Sequence, residues 1–114
     1  MTLYESLLEA VTTEYDTLRM LKQSPRGTVS VVRHKKSGTR YVFRRYSGSG
    51  EVYRRLLPVL CPHLPQIMEA AEQDGQTAVL EEYVQGDTLA ELLMGARLTE
   101  REARQVTMQL CQAL

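Results

Sequence analysis

Apolar residues change their spacing several times along this chain, and each change marks an element. Leu7, Leu8 and Val11 recur at helical spacing behind Thr2-Leu3-Tyr4-Glu5, a capping box, so residues 2 to about 12 are predicted to form a short amphipathic helix. Tyr15 through Leu21 reads as a strand, Gln23-Ser24-Pro25-Arg26-Gly27 as a turn, and Thr28 to Lys35 as a second strand. Lys36-Ser37-Gly38 then reverses the chain into a third strand over Thr39 to Tyr46. After the breaker Ser47-Gly48-Ser49-Gly50, residues Val52, Leu56, Leu57 and Leu60 mark one face of a helix bent near Pro58 and ended by Cys61-Pro62-His63-Leu64-Pro65. Ile67 to Glu72 and Thr77 to Tyr83 form a hairpin around the turn dipeptide Asp74-Gly75.

Gly86 closes that strand, and Asp87 or Thr88 can cap a short helix over 88–94 with Leu89, Leu92 and Leu93 on its apolar face. A second capping box, Thr99-Glu100-Arg101-Glu102, opens a helix striped by Ala103, Val106, Leu110 and Leu114. No Gly, Asn or Pro closes this helix, so the chain is expected to be the front piece of a longer polypeptide. Three segments follow: an N-terminal amphipathic helix over 1–14, a strand-rich body over 15–84, and a helical portion over 85–114. The class is α+β.

The chain has 114 residues, 43% hydrophobic and 25% charged, ordinary for one small globular domain. It has no apolar run of membrane-spanning length and no signal-peptide pattern at its start, so a cytoplasmic location is expected. Cys61 and Cys111 are far apart with no metal-ligand spacing, which favours reduced thiols and gives no metal site. The formal net charge is zero, but eleven basic residues and one acid, Glu51, lie between Arg19 and Arg55, while the balance reverses between Glu69 and Glu102. Such a field either attracts phosphates or is a solvated strand face.

In its order of elements the chain resembles the small lobe of serine/threonine protein kinases of bacterial type, over about residues 15–114. The residues that carry the likeness are Lys22-Gln23-Ser24-Pro25-Arg26-Gly27-Thr28-Val29 at the Gly-rich loop, Tyr41-Val42-Phe43-Arg44 at the Val-Ala-Ile-Lys strand, and Glu81-Glu82-Tyr83-Val84 at the hinge. The likeness implies a sheet of about five antiparallel strands with a packed helix, then the hinge and the first helices of a large lobe. It implies that Lys22, Gly27 and Val29 face the nucleotide, with only Gly27 and Val29 kept from the loop pattern. Val42 lines adenine and Arg44 stands where a lysine holds the phosphates; a bare reading of Arg44 is a surface-strand cation. Glu51 is the ion-pair candidate for Arg44, Glu81 falls at the gatekeeper position, Glu82 and Val84 offer backbone groups to adenine, and Asp87 lies near the ribose.

The cofactor implied is ATP, with Mg2+ held by residues outside this chain, and a protein substrate bound by the missing lobe. The family's catalytic Asp and Asp-Phe-Gly do not occur in these residues, so the fragment is expected to be inactive alone and the intact protein to phosphorylate protein Ser/Thr. One alternative is a pseudokinase. Another is an interaction module that self-associates as a homodimer through the stripe Val106, Leu110 and Leu114. Nucleic-acid binding by residues 19–55, with Tyr41, Phe43, Tyr46 and Tyr53 stacking on bases, ranks last because no named motif appears.

Overall fold

The computed structural model describes residues 2–86, 93–95 and 97–113. In chain order these give helix α1 (Leu3–Glu14), strands β1 (Tyr15–Ser24), β2 (Gly27–His34) and β3 (Arg40–Ser47), helix α2 (Glu51–Leu56), strands β4 (Ile67–Gln73) and β5 (Gln76–Glu82), and helix α3 (Glu100–Ala113). The strands form one antiparallel sheet in the order β1-β2-β3-β5-β4. The chain divides into two units: Met1–Val59 with Gln66–Tyr83, and Leu60–Pro65 with Val84–Leu114.

The first unit is a sheet with a helix on each face, because the side-chain alternation of its strands buries apolar residues on both. Val32, Phe43, Ala71, Ala78 and Leu80 pack against Tyr4 and Leu7 of α1. The opposite face carries Ile67, Ala70 and Val79, covered by Tyr46, Tyr53, Leu56 and Leu57 around α2. Full burial of a Val, Leu or Phe of this kind is worth about 1.5–3 kcal/mol. The capping box of α1 is formed in both directions between Thr2 and Glu5, so this helix starts where its sequence signal places it.

Turn chemistry fixes the hairpin of β4 and β5. Asp74 and Gly75 both have positive φ, 51° and 76°, and Gln73 faces Gln76 across them, the two-residue geometry whose twist matches that of the strands. Strand β1 is an exposed edge that slips register twice, between Thr17 and Arg19 and between Met20 and Lys22. It runs to Ser24, beyond the Leu21 expected from its apolar pattern.

Helix α2 is shorter than its apolar stripe implies, ending at Leu56 instead of bending through Pro58 to Leu60. Pro58 has no amide to donate to the carbonyl of Arg54, so the helical ladder stops there. Of the helix expected over 88–94, residues 88–92 lie outside the described residues, and 93–95 form a helical turn.

In the second unit, α3 opens on the expected box: the Thr99 amide donates to Glu102 at 3.0 Å and the Glu102 amide donates to the Thr99 hydroxyl at 3.1 Å. The bond from the Thr99 backbone, then that with its side chain, holds the Glu102 carboxyl below the usual glutamate range. A carboxyl with a depressed native pKa stabilises the folded turn fully above the unfolded value and loses that contribution as pH falls through the native one. Acidification below the ordinary glutamate range is therefore expected to loosen the first turn of α3, seen as a lower protection factor for the Thr99 amide that donates to this carboxylate. Glu102→Gln should flatten this pH dependence; an equal dependence in the variant would assign it to another group. On the same helix Met108 and Leu110 are 55% and 58% exposed, and Leu114 lies outside the described residues.

Among the described residues no helix is long and apolar enough to cross a membrane, and no three His, Cys, Asp or Glu side chains are grouped to hold a metal ion.

Candidate functional site

Antiparallel pairing sets the site. The register places Val29 opposite Arg44 and Arg44 opposite Val79, while Val31 faces Val42 and Val42 faces Glu81. Paired residues share a face, and alternate residues of one strand do too, so Val29, Val42, Arg44, Tyr46 and Glu81 all project to the α2 side of the sheet.

At the β1–β2 end of this face lies a cleft of about 200 Å³ lined by Lys22, Gly27, Val29, Arg44, Tyr46 and Tyr53, among others. The structure thus brings together four of the residues singled out in the sequence: Lys22, Gly27, Val29 and Arg44. Val42 lies two residues along the same strand face and is buried, 8% exposed. Tyr46 and Tyr53, read in the sequence only as candidate stacking residues, pack on each other at 6.1 Å between ring centroids. The alternation Val42, Arg44, Tyr46 along β3 is the signal that puts Tyr46 in the cleft.

Arg44 forms the ion pair of the site. Its Nε donates to Oε1 of Glu81 at 3.0 Å, and a terminal nitrogen reaches the same oxygen at 2.9 Å. The Arg44 side chain is 36% exposed and that of Glu81 only 8%, so the carboxylate is buried and the guanidinium opens to the cleft. Burial works to lower the pKa of Arg44, but the hydrogen bond and charge of Glu81 outweigh it and the net direction is up. Arg44 stays charged.

The expected pairing of Arg44 with Glu51 is not formed. Glu51 sits in the first turn of α2 and binds Arg55 one turn later at 2.6 Å. The other acid beside α2, Glu72 on β4, accepts from the Gly50 amide at 3.0 Å and from Arg54 at 3.3 Å, tying the start of the helix to the sheet. Both carboxylates near α2 are therefore engaged elsewhere.

Glu82 ends β5, and its amide donates to the Gln66 carbonyl at 2.8 Å. Val84 is exposed and belongs to the second unit, as does His63, an exposed loop residue. Asp87 lies outside the described residues.

Gly27 has a packing reason of its own. A Cβ there would lie 2.0 Å from the carbonyl oxygen of Arg45 and 2.7 Å from the Cα of Tyr46. The close approach of β2 to β3 at the mouth of the cleft admits only glycine.

Three strands in meander, a helix, then a hairpin whose second strand inserts beside the third: this is the small-lobe architecture of the protein kinase fold. Solved structures agree. The kinase domain of PknI from Mycobacterium tuberculosis superposes with a TM-score of 0.64, covering 86% of this chain and 45% of its own at 21% identity. Rad53 in complex with AMP-PNP superposes with a TM-score of 0.76, covering 96% of this chain and 33% of its own at 16% identity. The chain spans less than half the length of these structures, and the likeness is one of fold. No protein-family model matches the chain, and no curated protein matches it by sequence.

Proposed function

We propose that this chain is the nucleotide-facing small lobe of a serine/threonine protein kinase or kinase-like protein, of bacterial type, and that its cleft binds ATP. The observation that carries this reading is the cleft itself, where the cations Lys22 and Arg44 stand over the apolar Val29 on one sheet face. That donor set fits a nucleotide: charged groups for phosphate, an apolar strand face for a base. Arg44 would bind phosphate, Val29 and Val42 would pack on the base, and Gly27 would let the turn lie close to β3. Lys22 stands in place of a glycine, keeping its backbone amide and adding a side-chain charge, while Pro25 removes a donor from the turn.

Bound ATP would supply the phosphoryl group. Its transfer to a protein hydroxyl belongs to the intact protein, since the family's base and metal ligands have no counterpart in these residues. That AMP-PNP accompanies the Rad53 fold supports the ligand class. The alternative of a pseudokinase draws on the same turn, where Lys22 and Ser24 stand in place of glycines and Pro25 has no amide to offer.

Isothermal calorimetry of Mg-ATP into the chain separates the two. Binding is expected, and at a ligand concentration about 100 times the dissociation constant it should raise stability by roughly 2.7 kcal/mol. Lys22→Ala, at an exposed side chain, should weaken binding several-fold and leave the unligated fold intact. No heat and no stabilisation at millimolar Mg-ATP would discard the nucleotide site and leave the pseudokinase reading.

A further inference from the structure

We propose that Glu81 on β5 is the positioning residue for Arg44, taking the place of an acid on helix α2, so that the phosphate-facing cation is set by the sheet and does not depend on where that helix lies. The inference rests on the reading of the cleft as a nucleotide site and adds how that site is assembled and regulated.

The geometry gives the reason. A guanidinium has five N–H donors in a planar fork. Two of the nitrogens of Arg44, Nε and one terminal nitrogen, are held by a single oxygen of Glu81 at 3.0 and 2.9 Å. The remaining edge belongs to a side chain that lines the cleft. An arginine can thus be gripped along one edge and present the other, which a lysine ammonium, a single compact point of charge, does not do. The two departures from the family pattern at positions 44 and 81 answer each other.

The grip is also rigid. Glu81 is buried, and β3 and β5 are neighbouring strands whose ladder runs unbroken from Tyr41 opposite Glu82 to Ser47 opposite Gln76. Helix α2 offers no competitor, because Glu51 is spent on Arg55 and Glu72 on Arg54 and the Gly50 amide. A kinase that switches by swinging this helix toward a strand cation would lose that switch here. Arg44 is held by the sheet in place of the helix, and on this inference regulation of the site acts elsewhere.

Calorimetric titration of the full chain with ATP and, separately, with adenosine tests this. Glu81→Gln is expected to weaken ATP roughly tenfold, the equivalent of one hydrogen bond to a charged group, with adenosine affinity preserved. In an Arg44→Gln background the same change should add nothing, and the ATP loss on Glu81→Gln should exceed that on Glu51→Gln by about tenfold. Equal weakening of ATP and adenosine would mark Glu81 as merely structural and overturn the inference. So would a larger loss at Glu51, and in both cases the nucleotide reading would stand. A native chain that binds neither ligand overturns both. Should Glu81→Gln fail to fold, the Arg44 Nε–H resonance of the native chain decides: slow exchange that persists in Glu51→Gln supports the grip by Glu81, and its loss there refutes it.

Discussion

Arg44→Ala is expected to cost about 2–3 kcal/mol of folding stability, somewhat less than the roughly 3–5 kcal/mol of breaking a fully buried ion pair because one side of this pair is open to water. The penalty comes from what remains. Glu81, with 8% of its side chain exposed, stays buried and loses both donors that compensate it. Small domains hold only about 5–15 kcal/mol in all, so the loss is a large share. Replacing both residues by apolar side chains of similar volume, as in Arg44→Met with Glu81→Leu, should cost less than Arg44→Ala alone. Urea unfolding of the two single variants and the double variant measures the coupling, expected at about 1–3 kcal/mol. Additive losses would mean that the pair contributes nothing as a pair.

Gly27→Ala is the second large effect, expected at about 2–3 kcal/mol, the upper part of the range for forcing extra volume into a packed site. The added methyl would meet the Arg45 carbonyl at 2.0 Å. Both near neighbours are backbone of the paired strand, so no side-chain rotation relieves the clash, and β2 must move off β3. Because that seam forms the mouth of the cleft, nucleotide affinity should fall together with the denaturation midpoint. An unchanged midpoint would show that the strands part there at no cost. Gly27 is thus required by strand packing, whatever the turn before it binds.

These two residues also show what the sequence reveals and what it conceals. Gly27 is legible as a turn residue, but its packing against the backbone of Arg45 and Tyr46 depends on the next strand. The Asp74-Gly75 turn and both capping boxes are local signals, since the partners lie within a few residues, and the structure forms each of them. The five strands are legible for the same reason: alternation and turn residues are properties of short windows. The partner of Arg44 is not local. A search for the nearest acid along the chain ends at Glu51, whereas the carboxylate that binds Arg44 lies 37 residues downstream and arrives only because β5 inserts beside β3. Helix α2 fails differently. Its apolar stripe continues past Pro58, but a stripe records which face is buried and not whether each amide has a carbonyl to meet. Tyr46 was visible as an aromatic on an alternating strand; its place in the cleft needed the pairing that brings Tyr53 and the β1–β2 turn to it.

The strand order carries a kinetic consequence. Three of the four pairings join strands consecutive in sequence, β1 with β2, β2 with β3 and β4 with β5, and each closes as a hairpin. The fourth, β3 with β5, closes the segment from Ser47 to Gln76, which contains α2 and β4. Chain entropy makes that closure the slow event of folding, after the hairpins have formed on the microsecond scale. Arg44 and Glu81 meet across this last seam. The site is therefore expected to form with the rate-limiting pairing of the sheet, and variants of the pair should slow folding as well as quicken unfolding, which stopped-flow refolding and unfolding in urea would measure.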